Sequence, residues 1–121
     1  MSRWDPDRLA VVDADEEMTV AAHRPDGTLR TPRIVWQVIV DNGLWIRSVR
    51  GASGGWYRGV RRTGTGRIEA GGATIDVTFT PDQSHDDAID RAYREKYGNG
   101  SAVRAITSPL ARATTLRVEP A

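Results

Sequence analysis

The fold is decided by residues 34–49, which read IVWQVIVDNGLWIRSV. The first part, IVWQVIV, is apolar on both faces, which is typical of a strand that is central in a barrel or covered on both sides. Asn42-Gly43 is the strongest short signal for a β-hairpin, and residues 44–49 then form the returning strand. The stretch therefore predicts an antiparallel meander whose first long strand covers residues 29–40.

Alternating apolar and polar residues, bounded by turn residues, indicate further strands on both sides of this stretch. The other predicted strands cover residues 17–23, 66–70, 73–80 and 114–118. Short helices are predicted over residues 5–13, 56–62 and 102–106. The sum is a mainly β fold with about six antiparallel strands, which favours a small closed or split β-barrel.

One substantial helix is predicted in the C-terminal half of the chain, between Ser84 and Gly98. Ser84 occupies a capping-box position three residues before Asp87, and glycine is typical just after a helix C-terminus. The apolar face of this helix consists of Ala88, Ile89, Ala92, Tyr93 and Tyr97. Its opposite, charged face, with Asp86, Asp87 and Asp90, is expected to be solvated.

The composition limits the class of protein. The 121 residues are enough for one domain, residues 1–121, and 39% hydrophobic and 27% charged residues are typical of soluble globular chains. The absence of cysteine excludes disulfides, thiolate metal ligands and a cysteine nucleophile. No apolar run approaches the roughly 20 residues that span a membrane, and the first residues are too polar for a signal peptide. We therefore expect a cytoplasmic protein with no membrane anchor and no metal centre.

The charges are unevenly distributed, although the net charge is only +1. Residues 27–67 contain eight Arg and one Asp, whereas residues 1–26 and 68–121 are each net negative. The middle third of the chain therefore produces a local positive field that could hold an anion.

The densest candidate site combines two arginine-bearing segments with a glycine-rich loop. Residues 30–33 (RTPR) begin the long central strand, and residues 47–50 (RSVR) end its predicted hairpin partner, so the two segments should meet. Residues 51–55 (GASGG) then open a helix whose first backbone N–H groups are free. Arg forks and these N–H groups together could hold phosphate or carboxylate groups, while Trp56 or Tyr57 stacks on a planar ring.

A structural interpretation stays open beside this one. The Arg residues could be solvated charges at a barrel rim, and the glycines could merely allow a tight corner. Trp36 and Trp45 are expected in the core or at a subunit interface. No Ser-His-Asp arrangement, Walker loop, G-x-G-x-x-G or metal-ligand spacing is evident in the sequence, so it assigns no catalytic residue.

The chain resembles a known superfamily in residues 28–72, which read TLRTPRIVWQVIVDNGLWIRSVRGASGGWYRGVRRTGTGRIEAGG. Further matching segments are AIDRAYREKYG at residues 88–98 and ARATTLRV at residues 111–118. These motifs are similar to those of the flavin- and deazaflavin-binding split barrels, the pyridoxamine-phosphate-oxidase-like superfamily. Nearly the whole chain is most similar to one small bacterial family within it, DUF2255.

The resemblance implies a six-stranded antiparallel split β-barrel, usually a homodimer that holds a cofactor between its subunits. Members bind FMN, the deazaflavin coenzyme, heme or nothing known, and for this chain we expect FMN or the deazaflavin coenzyme. In such proteins the early Arg/Thr/Pro segment contacts the phosphate and ribityl groups, and the returning strand with its loop supplies the rest. Carried onto this sequence, the predicted cofactor-binding residues are Arg30, Thr31, Pro32, Arg33, Arg47, Ser48, Arg50, Gly51, Gly55, Trp56, Tyr57, Arg58 and Arg61.

Two functions stay open at this point. The first is a flavin- or deazaflavin-dependent oxidoreductase acting on an unidentified small molecule, in which the cofactor supplies the hydride chemistry. The second is a non-catalytic small-molecule-binding or partner protein on the same barrel. Nucleic-acid binding is a third alternative, but the sequence pI of 8.2 gives it little support beside the pI above about 9 that is typical of such domains.

Overall fold

The main element of the computed structural model, which describes residues 4–121, is a seven-stranded antiparallel sheet curled into a half-barrel. The strands are β1 (Met18–Ala22), β2 (Arg33–Val35), β3 (Val38–Val40), β4 (Gly43–Ile46), β5 (Thr65–Ala70), β6 (Ala73–Pro81) and β7 (Leu116–Pro120). Their order across the sheet is β2-β1-β5-β6-β7-β4-β3. The last strand in the chain, β7, therefore lies inside the sheet, between β6 and β4. The mainly β, split-barrel fold class predicted from the sequence is confirmed.

Five helices accompany the sheet. They are α1 (Pro6–Ala14), α2 (Gly55–Thr63), α3 (Asp86–Tyr97), α4 (Ser101–Ile106) and α5 (Pro109–Arg112), and a 3₁₀ turn (Gly51–Ser53) precedes α2. The start of α1 is as predicted, because the Asp5 carboxylate accepts a hydrogen bond from the Asp7 N–H at 3.1 Å and Pro6 occupies the first turn. Among residues 4–121 we find no helix with the length and apolar character that a membrane crossing requires.

The predicted hairpin forms between β3 and β4. Val40 pairs with Gly43, so Asp41 and Asn42 are the two central residues of the turn. Both have positive φ, 51° and 58°, as a type I′ turn requires. Asn tolerates this conformation better than most residues, which explains why the Asn-Gly signal identified the hairpin even though Gly43 itself begins β4.

The single long strand predicted over residues 29–40 is wrong, since the structure divides it into β2 and β3. The division falls at Trp36-Gln37, and the two short strands lie at opposite edges of the sheet. The Gln37 side chain is completely buried, and its amide donates to Val12 O at 2.9 Å and Asp15 O at 3.0 Å. The Gln37 side chain thus holds the chain at the point where it passes from the β2 edge of the sheet to the β3 edge. Because the predicted long strand is two strands, the sheet has seven strands instead of six.

Tyrosines of α3 hold the same crossing from the other side. The Tyr93 hydroxyl donates to Trp36 O at 2.8 Å and the Tyr97 hydroxyl donates to Gln37 O at 2.9 Å. Burial raises the pKa of both hydroxyls above the ordinary tyrosine value, so they remain donors. These bonds tie α3 to the junction of β2 and β3.

The buried side chains form two clusters, one on each face of the sheet. The larger cluster lies under α1 and α2 and includes the β4 residues Leu44 and Ile46. The smaller cluster lies under α3 and α4 and includes Trp45, Val38 and Val40. Strands β3 and β4 are therefore covered on both faces, as their uninterrupted apolar sequence predicts. Trp45 is in the core, as expected.

The long helix α3 departs from the prediction at its N-terminus. It begins at Asp86 with no side-chain cap, and the Ser84 hydroxyl donates instead to the Asp82 carboxylate at 2.5 Å. The C-terminal end at Gly98 and the predicted apolar face are confirmed, with Ile89 and Tyr93 fully buried.

Candidate functional site

The turn after β1 brings two arginines to the same side of the molecule. Arg24 N–H donates to Thr28 O at 2.7 Å and Arg30 N–H donates to Ala22 O at 2.8 Å, so the chain turns back alongside itself. The Asp26 carboxylate accepts from the N–H and the hydroxyl of Thr28, and these bonds hold the pKa of Asp26 below its usual range. Arg24 and Arg30 consequently line one cleft.

The loop before α2 is tightly built. The Ser48 hydroxyl donates to Gly51 O at 2.8 Å, and Gly54 N–H donates to the same carbonyl at 3.1 Å. A Cβ on Gly54 would overlap the Ser48 hydroxyl oxygen, and a Cβ on Gly51 would lie 2.6 Å from Leu110. Close approach to the buried Ser48 hydroxyl therefore requires glycine at position 54, and the positive φ of 70° favours glycine at position 51.

Gly55, the first residue of α2, is different. A Cβ there would meet no atom within 4 Å, and the residue lines two clefts. The helix begins with no side-chain cap, so no side chain accepts from its first N–H groups. Close packing therefore does not require glycine at position 55, and the open space beside it belongs to the two clefts.

Two clefts meet at Arg33, Gly55 and Trp56, and we call them together the Trp56 groove. The larger cleft has a volume of about 500 Å³, and its walls include Arg33, Ile34, Val49, Arg50, Gly55 and Trp56. The smaller cleft has a volume of about 270 Å³, and its walls include Arg24, Arg30, Thr31, Arg33, Trp56 and Arg58. Neither cleft is lined by an acidic residue.

Four guanidinium groups of the Trp56 groove carry no countercharge. Within residues 4–121, no carboxylate lies within 4 Å of Arg30, Arg33, Arg50 or Arg58, whereas Arg67 pairs with its cross-strand neighbour Asp76. Arg30 Nε is moreover buried without a hydrogen-bond partner. A buried donor without an acceptor costs free energy, and an anionic ligand would remove that cost.

Sequence reasoning brought the two arginine segments together for the wrong reason. Strand β2, which starts at Arg33, pairs with β1 and not with β4. Arg33 and Arg50 nevertheless line the same cleft, because the sheet curls until its β2 edge approaches the loop after β4.

Arg47 does not lie with the other arginines. Its side chain is completely buried, and all five of its N–H groups have acceptors. The acceptors are the Thr115 hydroxyl, the Ile106 and Asp86 carbonyls and the carboxylates of Asp86 and Asp90. The expectation that Asp86 and Asp90 are solvated is therefore wrong: both are buried, and only Asp87 is exposed.

The remaining predicted residues fall into four groups. Thr31, Gly55, Trp56 and Arg58 line the Trp56 groove with Arg30, Arg33 and Arg50. Ser48, which also borders the larger cleft, and Gly51 shape the loop, and Tyr57 is buried in the larger core cluster. Pro32 and Arg61 are exposed outside both clefts.

Sequence reasoning missed several residues that line the groove, namely Arg24, Ile34, Val49 and Gly54. Arg24 could have been found, because Pro25-Asp26-Gly27 predicts the turn that places it near Arg30. Ile34 and Val49 are 63% and 50% exposed. They could not be found, because an apolar residue in the sequence can lie either at the edge of a cleft or in the hydrophobic core.

A third cavity, of about 220 Å³, adjoins the groove and shares Ile34, Val49 and Trp56 with it. We call it the apolar cavity. It also contains Trp36, whose ring stacks on Tyr97 with centroids 4.1 Å apart and an angle of 2° between the planes.

Neither histidine is among the residues that line the Trp56 groove. His23 Nδ1 is 3.0 Å from the Thr65 hydroxyl. His85 Nε2 is 3.1 Å from the Asp41 carboxylate, in a cavity of about 420 Å³ at the opposite end of β4. Within residues 4–121, no three His, Asp or Glu side chains are grouped so that they could hold a metal ion.

A family model described as a protein conserved in bacteria, DUF2255, matches residues 8–118. The chain belongs to the DUF2255 family. No curated protein matches it. The Trp56 groove, with its Arg residues and the loop before α2, therefore lies within the segment that defines DUF2255.

Solved structures resemble this DUF2255 protein over most of their length. A Listeria innocua protein provisionally named a pyridoxamine 5′-phosphate oxidase has a TM-score of 0.62 and 15% identity, covering 96% of this chain and 91% of that chain. An F420 reductase has a TM-score of 0.56 and 15% identity, with 92% and 90% covered. A FAD-binding protein from Mesorhizobium loti has a TM-score of 0.53 and 14% identity, with 99% and 90% covered. At these identities the likeness shows the fold alone, a split barrel that this chain shares with the three proteins.

Proposed function

We propose that this DUF2255 protein binds a flavin or deazaflavin cofactor in the Trp56 groove and acts as an oxidoreductase on a small molecule. The observation that carries this proposal is the set of four guanidinium groups without countercharge around Gly55 and Trp56. Solved proteins of the same fold, named as a FAD-binding protein and an F420 reductase, support the choice of cofactor class.

The smaller cleft suits the phosphate of such a cofactor. Arg30, Arg33 and Arg58 line it and provide positive charge, and the first N–H groups of α2 add hydrogen-bond donors. The buried Arg30 Nε is a donor that finds no acceptor in the part of the chain that the structure describes. The open space at Gly55 allows a ligand to approach the backbone closely.

The larger cleft suits the ring system of the cofactor. It combines the Trp56 side chain with the apolar side chains of Ile34 and Val49, while Arg50 lies at its edge. When bound, a flavin or deazaflavin supplies two-electron hydride chemistry, which no side chain of the groove can supply. The role of this chain is therefore to bind the charged tail, to orient the ring and to limit access of water.

We further propose that the protein functions as a homodimer. Ile34 and Val49 are large apolar side chains that stand exposed on the wall of the groove. A second copy of the chain would cover them and would close the open side of the groove.

The test is a fluorescence titration of the purified protein with FMN and, separately, with the deazaflavin coenzyme. We expect saturable binding of one cofactor in the micromolar range. The variant Arg33→Ala should weaken it at least tenfold without changing the melting temperature, because exposed Arg33 forms no ion pair within residues 4–121. Arg67→Ala, at an exposed ion pair outside the groove, is the matched control.

Failure to bind either cofactor would overturn the oxidoreductase proposal. If the dimer were retained in that case, the same groove would favour the alternative of a non-catalytic small-molecule-binding protein, and the search would turn to ligands that purify with it. Binding of a cofactor without reduction of any tested compound would favour the same alternative.

A further inference from the structure

The apolar cavity is poorly suited to a charged ligand. Among the residues that the structure describes, Arg47 is the one titratable residue in its walls, which also include Ile34, Val35, Val49, Ala102 and Ile106. Arg47 offers nothing to a ligand, because each of its five N–H groups already has an acceptor. A charge in such a cavity would lose its hydration without gaining a partner, so binding of a charged compound is unfavourable there.

Two of the residues that line the cavity, Trp36 and Trp56, carry an uncharged hydrogen-bond donor. Of the four tryptophans, Trp4 donates its indole N–H to Val118 O and Trp45 donates to Val40 O. The indole N–H groups of Trp36 and Trp56, which both line the cavity, have no acceptor within residues 4–121. An indole N–H only donates, so it selects a ligand that carries acceptor atoms.

The size of the cavity limits the ligand further. Its volume of about 220 Å³ lies below the roughly 300–1,000 Å³ of pockets for drug-sized ligands. A cavity of about 150 Å³ already admits benzene, so the available space matches one substituted ring better than a fused three-ring system. The flat faces of Trp36 and Trp56 favour a planar ring.

We infer that the apolar cavity binds a small uncharged compound with one aromatic ring and a hydrogen-bond acceptor such as a carbonyl oxygen. Because it shares Ile34, Val49 and Trp56 with the Trp56 groove, a compound held there lies beside the ring of the proposed cofactor. That such a compound is the substrate of an oxidoreductase rests on the proposed function. That the cavity binds it does not depend on any cofactor.

Three probes with the same ring and different charge test the inference: acetophenone, benzoate and benzylamine. Each is titrated into ¹⁵N-labelled protein while the four indole N–H signals are followed by NMR, after assignment with Trp→Phe variants. We expect acetophenone to shift the Trp36 and Trp56 signals in a saturable way. Because Trp56 also lines the groove with its arginines, the affinities are compared at Trp36, where acetophenone should bind at least tenfold more tightly than benzoate or benzylamine. Equal binding of the charged probes at Trp36, or acetophenone shifts confined to Trp4 and Trp45, would overturn the inference.

A cavity-filling variant locates the site. Ala102→Phe, at an exposed position of α4 that lines the cavity, should weaken acetophenone binding at least tenfold. Ser101→Phe, one residue earlier on the same helix and outside the cavity, is the matched control. If Ala102→Phe binds acetophenone as the wild type does, the site is not the apolar cavity.

A parallel FMN and deazaflavin titration separates the two proposals. Acetophenone binding without cofactor binding would support the cavity and overturn the proposed function. Cofactor binding without acetophenone binding would overturn the inference alone. If the Trp36 and Trp56 signals change with protein concentration and respond to no probe, a second copy of the chain fills the cavity, and the inference is again overturned.

Discussion

Arg30 lies directly across Gly59 of α2. A Cβ on Gly59 would stand 3.1 Å from Arg30 Cδ and 3.2 Å from Arg30 Nε. The absence of a side chain on the helix therefore provides the space in which the Arg30 stem rests, and with it the direction in which the guanidinium enters the smaller cleft. Gly59, which does not line the cleft, thus determines the position of Arg30, which does.

Gly59→Ala should displace Arg30 and weaken FMN binding at least fivefold. Stability should change by no more than about 1 kcal/mol, because the gain in helix propensity of up to about 1 kcal/mol offsets the crowding against Arg30 and Ala22. The measurement is an FMN titration together with thermal unfolding. Gly100→Ala, where a Cβ would meet nothing within 4 Å, is the control. Unchanged FMN affinity in Gly59→Ala would refute this role of Gly59.

Gly54 and Gly55 are neighbours with opposite expected behaviour. Gly55→Ala should fold as stably as the wild type and lose at least tenfold in FMN affinity, since its Cβ enters only the open space of the groove. Gly54→Ala should lose about 1–3 kcal/mol of stability, because its Cβ overlaps the buried Ser48 hydroxyl. Urea unfolding and FMN titration of both variants check this. Full FMN affinity in Gly55→Ala would show that the ligand does not approach the start of α2.

Arg47→Met should destabilise the fold by about 3–5 kcal/mol, because it leaves the buried carboxylates of Asp86 and Asp90 without their main partner. Arg112 contacts the same two carboxylates only at 3.9 and 3.5 Å and is partly exposed. Arg67→Met removes a solvent-exposed ion pair and should cost no more than about 1 kcal/mol. Urea unfolding of the two variants measures the contrast, and equal losses would contradict it.

Asp82 should make the protein sensitive to acid. Hydrogen bonds from Ser84, and then the charge of Arg117, hold the pKa of Asp82 below its ordinary value. Its contribution to stability is therefore complete above the unfolded pKa of about 3.9 and is lost as the pH falls through the lower folded pKa. We expect Asp82→Asn to be about 1–2 kcal/mol less stable than the wild type at pH 7. This gap should shrink at pH 2.5. Urea midpoints at both pH values check it, and an unchanged gap at pH 2.5 would show that the charge of Asp82 is not the cause.

The parts of the fold that could be predicted from sequence are those specified by neighbouring residues. The turn at Asp41-Asn42, the start of α1 and the alternation of Ile75, Val77 and Phe79 in β6 each depend on a few adjacent side chains. The division of residues 29–40 depends instead on Gln37 meeting carbonyls of α1 and the residue after it, more than twenty positions away. Periodicity reports which side of a strand is apolar, but not where the strand changes its partner.

The candidate site shows the same limit. The concentration of Arg in the middle of the chain and the glycine-rich start of α2 were visible in the sequence and locate the Trp56 groove. The ion pairs of Arg47 could not be predicted, because its partners Asp86 and Asp90 lie about forty residues further along the chain. The one sequence signal was the apolar run at residues 44–46 just before Arg47, since an arginine in a strand covered on both faces needs an internal partner.

The position of β7 inside the sheet, between β6 and β4, affects when the protein can complete its folding. Until residues 116–120 have been synthesised, β6 and β4 have nothing between them, and the sheet exists as two separate pieces with an open edge on each. The Trp4 indole N–H likewise has no Val118 carbonyl to donate to until β7 is present; in the folded protein this hydrogen bond is 2.7 Å long. Pairings across such long stretches of chain make folding slow, and unpaired edges invite association with other chains in the meantime. The half-barrel is therefore completed only after translation of its last strand, and the interval before that moment is when the chain is most exposed to aggregation.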